Sequence, residues 1–402
     1  MLRSLYSGIS GLRANQTMMD VVGNNIANVN TTGFKASNTV FQDTLSQLIQ
    51  GSGAPTNVRG GTNPAQIGLG VRVAAITTNF NPGAAQSTGR SSDVMIQGDG
   101  FFVEKLNGQS VYTRNGALNF DAQGRLVGPD GGIVQGWMAD SAGNINTNAQ
   151  IGNLSIPIAS TIAPQATNAV KLSGNLPADG TLTTSPQTSI DVYDVQGKAT
   201  TLNVSFTRID AQNWDVTVSG VGGSTSGKLA FDATGANGVY TPTVAGQGTA
   251  TSATLNGINV DLSKLSGFSG LSTLGVESAN GSAAGTLQGF AIGGDGVMTG
   301  TFTNGLTKSL GQIAVATFAN PAGLSKAGAS GYVASTNSGL VQIGTAGSGQ
   351  RGALAGGALE MSNVDLAAEF TNLIVAQRGF QANSRVITAG DEVLQDLVNI
   401  KR

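Results

Sequence analysis

From Leu2 to Ile26 the chain reads LRSLYSGISGLRANQTMMDVVGNNI. Leu2, Leu5, Ile9, Leu12, Met19 and Ile26 recur mostly three and four apart, with Gln16 and Gly23 in the two gaps, the spacing that lays an apolar stripe along one side of an α-helix. As a helix the stretch would reach about 37 Å at 1.5 Å per residue. It ends where Asn28-Val29-Asn30-Thr31-Thr32-Gly33 gathers turn formers. The far end of the chain mirrors it. Leu366, Leu373, Phe380, Ile387 and Leu394 recur at intervals of seven, supported by Phe370 and Val398, while Gln377, Ser384 and Asp391 leave half of the seam polar. Ser362 or Asn363 suits the N-cap and Asp365 the first turn, and Lys401 and Arg402 suit the C-terminal end of the helix dipole.

Inward from these ends, a second amphipathic stretch runs from Phe41 to Ile49 and stops at Gly51-Ser52-Gly53-Ala54-Pro55, a flexible connection. Between Val71 and Gly339 apolar residues alternate in short runs punctuated by glycine, the pattern of strands joined by tight turns. One turn device recurs: Asp121 to Gly124, Asp140 to Gly143, Asp194 to Gly197 and Asp232 to Gly235. Aspartate opens a type I turn by bonding nearby backbone, and glycine at the fourth position supplies the positive φ of a bulged hairpin. Runs such as Val111 to Arg114, Thr201 to Arg208 and Trp214 to Ser219 supply the strands. The expected fold is mainly β with terminal α-helices: two antiparallel β domains, the second inserted in the first, plus a coiled-coil-like helical domain made by both ends. The boundaries expected are 1–30 and 360–402 for the helical domain, 31–70 for a connector, 71–143 and 285–359 for an inner β domain, and 144–284 for an outer one. A shift to a charge-poor Thr/Ser/Gly texture near Asn144, reversed near Gly285, marks the insertion.

The composition excludes much chemistry. At 402 residues the chain is long for one core. Lys plus Arg (21) nearly cancel Asp plus Glu (23) with no basic run, so nucleic acid is a poor partner. Histidine and cysteine are absent, which removes the commonest general base, the commonest metal ligands and the thiolate nucleophile. No apolar run reaches the ~18 residues of a transmembrane helix, and the N-terminus carries no apolar segment leading to a cleavage site. Membrane insertion and a cleaved signal peptide are not expected. Amphipathic ends with half-polar seams would be marginal alone in water, so they are expected to fold against copies of themselves.

Motif-like spacings resolve into turns. Gly347-Ser-Gly-Gln-Arg-Gly352 has dinucleotide-fingerprint spacing, yet it leads into Ala353-Leu354-Ala355-Gly356-Gly357 and lacks the parallel βαβ setting. Asp191, Asp194 and the Gly98-Asp99-Gly100 and Gly294-Asp295-Gly296 triplets lack the alternate oxygen ligands and later glutamate of a calcium loop. No geometry in the sequence supports pairing Asp20 with Glu104 as glycosidase carboxylates. No catalytic, cofactor-binding or metal-ligating residue is assigned, and the chain is not expected to be an enzyme.

Residues Ala14 to Lys35, ANQTMMDVVGNNIANVNTTGFK, resemble the N-terminal signature of flagellar rod and hook proteins, with Asn24, Asn25, Asn28, Gly33 and Phe34 as its marked positions. Gly98 to Val103 and Tyr112 to Gly116 resemble the first β domain of that family, and Ser362 to Thr388 its C-terminal helix. The Phe370-Thr-Asn and Gln377-to-Arg385 wording is closer to the hook branch, and residues 144–284 resemble the extra domain of that branch by length and placement. The resemblance implies a non-enzymatic subunit that polymerises with itself into a flexible, curved tube outside the bacterial cell, acting as a universal joint between rod and filament. It also implies unfolded export through the flagellar type III apparatus. The implied partners are distal rod protein, hook-filament junction protein, a hook cap protein and other copies, with no cofactor. A distal-rod role is the alternative.

Overall fold

The computed structural model describes residues 2–55, 59–156, 161–179, 185–220, 222–236, 238–243 and 250–400. The chain divides into two compact units, one of Met1–Pro157, Phe290–Thr299 and Lys308–Arg402, the other of Ile158–Gly289 and Gly300–Thr307.

The first unit holds both helices, α1 (Leu2–Ala27) and α2 (Leu366–Ile400). Asp365 caps α2: its Oδ1 accepts from the backbone N–H groups of Ala367 (2.9 Å) and Ala368 (3.2 Å). The cap expected at Ser362 or Asn363 therefore lies two or three residues too early. The side chain of Asn363 is otherwise engaged, accepting from Ala36 N–H and donating to the carbonyls of Asn79 and Asn81. Lys401 and Arg402, expected at the helix end, lie outside the described residues.

Phe41 to Ile49 is not a helical face. Ser37–Asp43 pairs antiparallel with Val71–Thr78, and Ser46–Gln50 with Ala65–Gly68. Val40 and Phe41, straddling a register shift, followed by apolar residues at 45, 48 and 49, imitate helical spacing on an extended chain. In the β body, Phe101–Leu106 pairs with Gln109–Thr113, which pairs with Gly331–Val333; Ile133–Met138 pairs with both Phe101–Leu106 and Thr307–Thr317. Phe80, Phe101, Tyr112, Phe318 and Tyr332 meet edge to face at the heart of this body. The C-terminal segment returns to the N-terminal side, Ala353–Gly356 beside Val94–Gln97 and Ala358–Glu360 beside Ala85–Ser87.

The second unit stacks two sheets around one core. Gln187–Tyr193, Ala199–Arg208, Asn213–Gly220, Gly223–Ala230 and Val239–Pro242 form a five-stranded meander. Ser252–Leu255, Ile258–Ser266, Ala169–Asn175 and Gly275–Ala279 form the other sheet. Alternation decides which side chains go in: Leu202, Val204 and Phe206, then Trp214, Val216 and Val218, point into a core also reached by Val170, Val260 and Leu262. One pairing departs from the expected antiparallel pattern, because Ala169–Asn175 runs parallel to Ile258–Ser266. The whole meander lies between these two strands in sequence, ample length for the crossover a parallel pair needs.

The four aspartate turns share one geometry across both units. In each, the glycine N–H donates to the aspartate carbonyl at 2.9 to 3.0 Å, and glycine φ lies between +74° and +91°. The aspartate Oδ1 accepts from the backbone two and four residues on, as Asp121 does from Gln123 and Arg125.

Candidate assembly surface

The two helices run antiparallel, and small residues set how closely they approach. A Cβ at Gly8 would stand 3.3 Å from Ile387, at Gly11 2.7 Å from Asn383, at Gly379 2.9 Å from Asn15 and at Gly390 2.9 Å from Leu5. The fully buried positions along α1 are Gly8, Gly11, Ala14, Val22 and Asn25, and along α2 Glu369 and Ala376. Large apolar residues flank this small-residue line. Leu5, Leu12, Met19, Ile26, Leu373, Phe380, Ile387 and Leu394 are half-buried, whereas Ile9, Leu366 and Phe370 are exposed. The side chains of Leu2 and Val398 lie outside the described residues.

The solvent-facing surface of the pair is mixed, with large apolar residues set among polar ones such as Arg13, Gln16, Gln377 and Arg385. Tyr6 on α1 is 70% exposed, and Ile374, Val375, Val386 and Val393 on α2 are exposed as well. The Ser46–Gln50 and Ala65–Gly68 hairpin adds Leu48, Ile49 and Ile67, with Leu45 and Leu69 beside it, all open to solvent. Apolar surface this extensive is uncommon on a protein that stays single, and a lone two-stranded hairpin is marginal in water.

Where the helices meet the β body, most buried polar groups are paired, although Glu369 Oε2 has no partner among the described residues. Asn25 is buried; its Nδ2 donates to Ser37 O (2.8 Å) and Glu369 Oε1 (3.0 Å), and its Oδ1 accepts from Ser37 N–H (3.0 Å). Burial raises the pKa of Glu369, and the Asn25 bond opposes that shift. Asn28 bonds back to Asn24 and accepts from Thr31 Oγ1, so two motif asparagines tie off the end of α1. Gly33 needs its φ of +68°, and a Cβ there would lie 2.7 Å from the Arg114 backbone; its N–H donates to Glu360 O at 2.8 Å. The Phe34 ring lies under Lys326, whose Nζ is 5.6 Å from its centroid.

Behind Gly33 lies a buried charge cluster. Lys35 Nζ meets Glu360 Oε1 at 2.5 Å, Arg114 reaches Glu360 Oε2 at 3.4 Å, and all three side chains are at most 1% exposed. Asn81 O accepts from Lys35 and Gly83 N–H donates to Glu360, while Arg114 Nε has no partner among the described residues. Burial pushes the Lys35 and Arg114 pKa values down, and Glu360 opposes both shifts. The sequence enclosed Arg114 and Glu369 in family-like stretches without marking a role for either, and Glu360 stood outside every motif. Their signal was faint: lone charges in a chain only 11% charged, two of them near its returning end.

Four family descriptions match consecutive parts of the chain: "Flagella basal body rod protein" over 5–35, "Flagellar hook protein FlgE/F/G D1 domain" over 95–169, "Flagellar basal body protein FlaE D2 domain" over 163–282, and "Flagellar basal body rod FlgEFG protein C-terminal" over 355–400. The class they define is that of flagellar rod and hook subunits. Flagellar hook protein FlgE of Treponema pallidum is 40% identical across the whole of both chains, and that of Escherichia coli 34% over 98% of each. Flagellar basal-body rod protein FlgG of Bacillus subtilis is 34% identical over the whole of both. The chain belongs to the flagellar rod and hook protein family.

Proposed function

We propose that the chain is the structural subunit of the bacterial flagellar hook, polymerising into a flexible curved tube that acts as a universal joint and passes torque from rod to filament. One observation carries this reading: the chain ends form one helix pair that leaves large apolar side chains such as Tyr6, Phe370, Ile374, Val375 and Val386 open to solvent, a surface that other copies of the chain would cover. The 40% identity to hook proteins along the full length and the D2-domain match over 163–282 favour hook over rod. The role is structural, not catalytic. The helical ends, 1–30 and 360–402, build the inner wall, 31–70 connects, 71–143 with 285–359 makes an inner β layer, and 144–284 an outer one. Copies contact one another heterologously with a rotation that does not close, so the polymer stays open.

The subunit works outside the cell after export through the flagellar apparatus. Its neighbours are the distal rod protein, the hook-filament junction protein and, during growth, a hook cap protein. Electron microscopy of assembled full-length protein tests the reading, with curved single-component tubes as the expected result. Straight, rigid tubes would favour the rod alternative, to which the FlgG relative points. A chain lacking residues 1–26 is expected to stay folded in its β units and form no tubes; normal tubes from it would refute the role of the ends.

A further inference from the structure

Charge is distributed unevenly along the helix pair. The first nineteen residues contain Arg3 and Arg13 but no carboxylate, and Arg72, on the Val71–Thr78 strand and donating to Gln42 Oε1, lines the same groove as Arg13. Together Tyr6, Ile9, Arg13, Val71, Arg72 and Val73 line an open groove of about 400 Å³ whose walls are mostly apolar. The described end of α2 has the opposite character. Asp391, Glu392 and Asp396 carry three negative charges within six residues, with no base among them and Lys401 and Arg402 following only at the last two positions of the chain, and Val393 is exposed between them.

These surfaces cannot be mates within one chain. Leu5 already lies against Gly390 and Gly8 against Ile387, so residues 391–396 reach the level of Arg3 and beyond it. Arg13 stands level with about residue 381, roughly 15 Å along the helix at 1.5 Å per residue.

We infer that the groove between α1 and the Val71–Thr78 strand receives the acidic 391–396 segment of α2 from a second copy of the chain. Val393 of that copy meets the Tyr6 and Ile9 wall, and its carboxylates meet Arg13 and Arg72. The contact is heterologous, basic groove to acidic helix segment, and each subunit offers both halves. Such a contact can repeat from copy to copy into an open polymer, which a tube requires and a two-fold dimer interface does not supply. The charges set register and orientation while the apolar groove supplies the burial. The inference rests on the hook reading and names the contact through which that assembly proceeds.

Charge exchange on the full-length chain tests it. Arg13→Glu with Arg72→Glu, all on exposed side chains, leaves the folded monomer intact by circular dichroism and raises the concentration at which tubes pellet by about tenfold or more, as expected for two surface pairs turned repulsive. Glu392→Arg with Asp396→Arg is expected to do the same, and the variant combining all four to return toward the wild-type threshold. Either pair assembling at the wild-type threshold overturns the inference, and so does a combined variant as defective as its parents. In both cases wild-type tubes leave the hook reading standing. Absence of tubes from the wild type, under conditions where the monomer is folded, would count against the hook reading itself.

Discussion

Glu360 and Trp214 occupy equivalent depths in their units but hold them together by opposite means. Glu360 joins Lys35 and Arg114, three charges from segments up to 325 residues apart, sealed away from water. Trp214 lies in a core of Leu202, Val204, Phe206, Val216 and Leu229 supplied by successive hairpins. The first unit therefore closes only when both ends of the chain have arrived, whereas the five-stranded meander of the second forms from neighbours in sequence. A buried ion cluster adds little net stability but costs heavily when half removed, so it enforces one arrangement of the ends. An apolar core stabilises by burial, here at the cost of a Trp214 Nε1 that has no partner among the described residues.

Removing Glu360 should have the largest effect on this contrast. Glu360→Ala strands two buried cations and is expected to cost about 3–5 kcal/mol, moderated as Lys35 sheds its proton. Denaturant unfolding with probes in each unit should show the first unit alone weakened; equal weakening of both would end the distinction. Trp214→Ala should cost a comparable 3–5 kcal/mol in the second unit, leaving amide exchange around Lys35 unchanged.

Glu104 provides a pH test within the first unit. Its carboxyl is buried beneath the Gly128 to Gly132 turn beside Asp130, and burial first, then the Asp130 charge, push its pKa up to about 8 from 4.5. Folding therefore takes up a proton between those values. The stability contributed by protonated Glu104 is complete below pH 4.5, declines as pH rises, and is gone above about 8. Thermal melts should fall across that window by a total of a few kcal/mol, and Glu104→Gln should remove that part of the slope while sparing the second unit. A wild-type melt insensitive to pH in that range would contradict the assigned environment.

Gly379→Leu sharpens the account of the helix pair. A side chain forced against Asn15 should cost about 1–3 kcal/mol and lower α1 protection in hydrogen exchange. The smallest effect is expected at the aspartate turns, where Gly124→Ala should cost about 1 kcal/mol because φ is +74°. An unchanged melting temperature would mean the turn relaxes to another geometry.

The helices, the hairpin turns and the strand alternation of the second unit were legible because each depends on residues close in sequence. Thr201 to Arg208 was readable as a strand from its own alternation, and Ala199–Arg208 is one. Phe41 to Ile49 misled because helical and extended spacings coincide over so short a run. The stripe on α1 was visible, but the small-residue line of Gly8, Gly11 and Ala14 beside it was not, since its meaning depends on Asn383 and Gly379 arriving opposite.

Local periodicity and turn chemistry, then, were sufficient by themselves to specify terminal helices around a β-rich middle, and the motif wording to indicate the family. Only the folded chain decided that Lys35 meets Glu360, that Asn25 bonds both Ser37 and Glu369, and which apolar faces remain open. The reason is physical: helix and turn preferences are settled within a few residues, whereas burying a charge is tolerable only when a distant partner shares its enclosure.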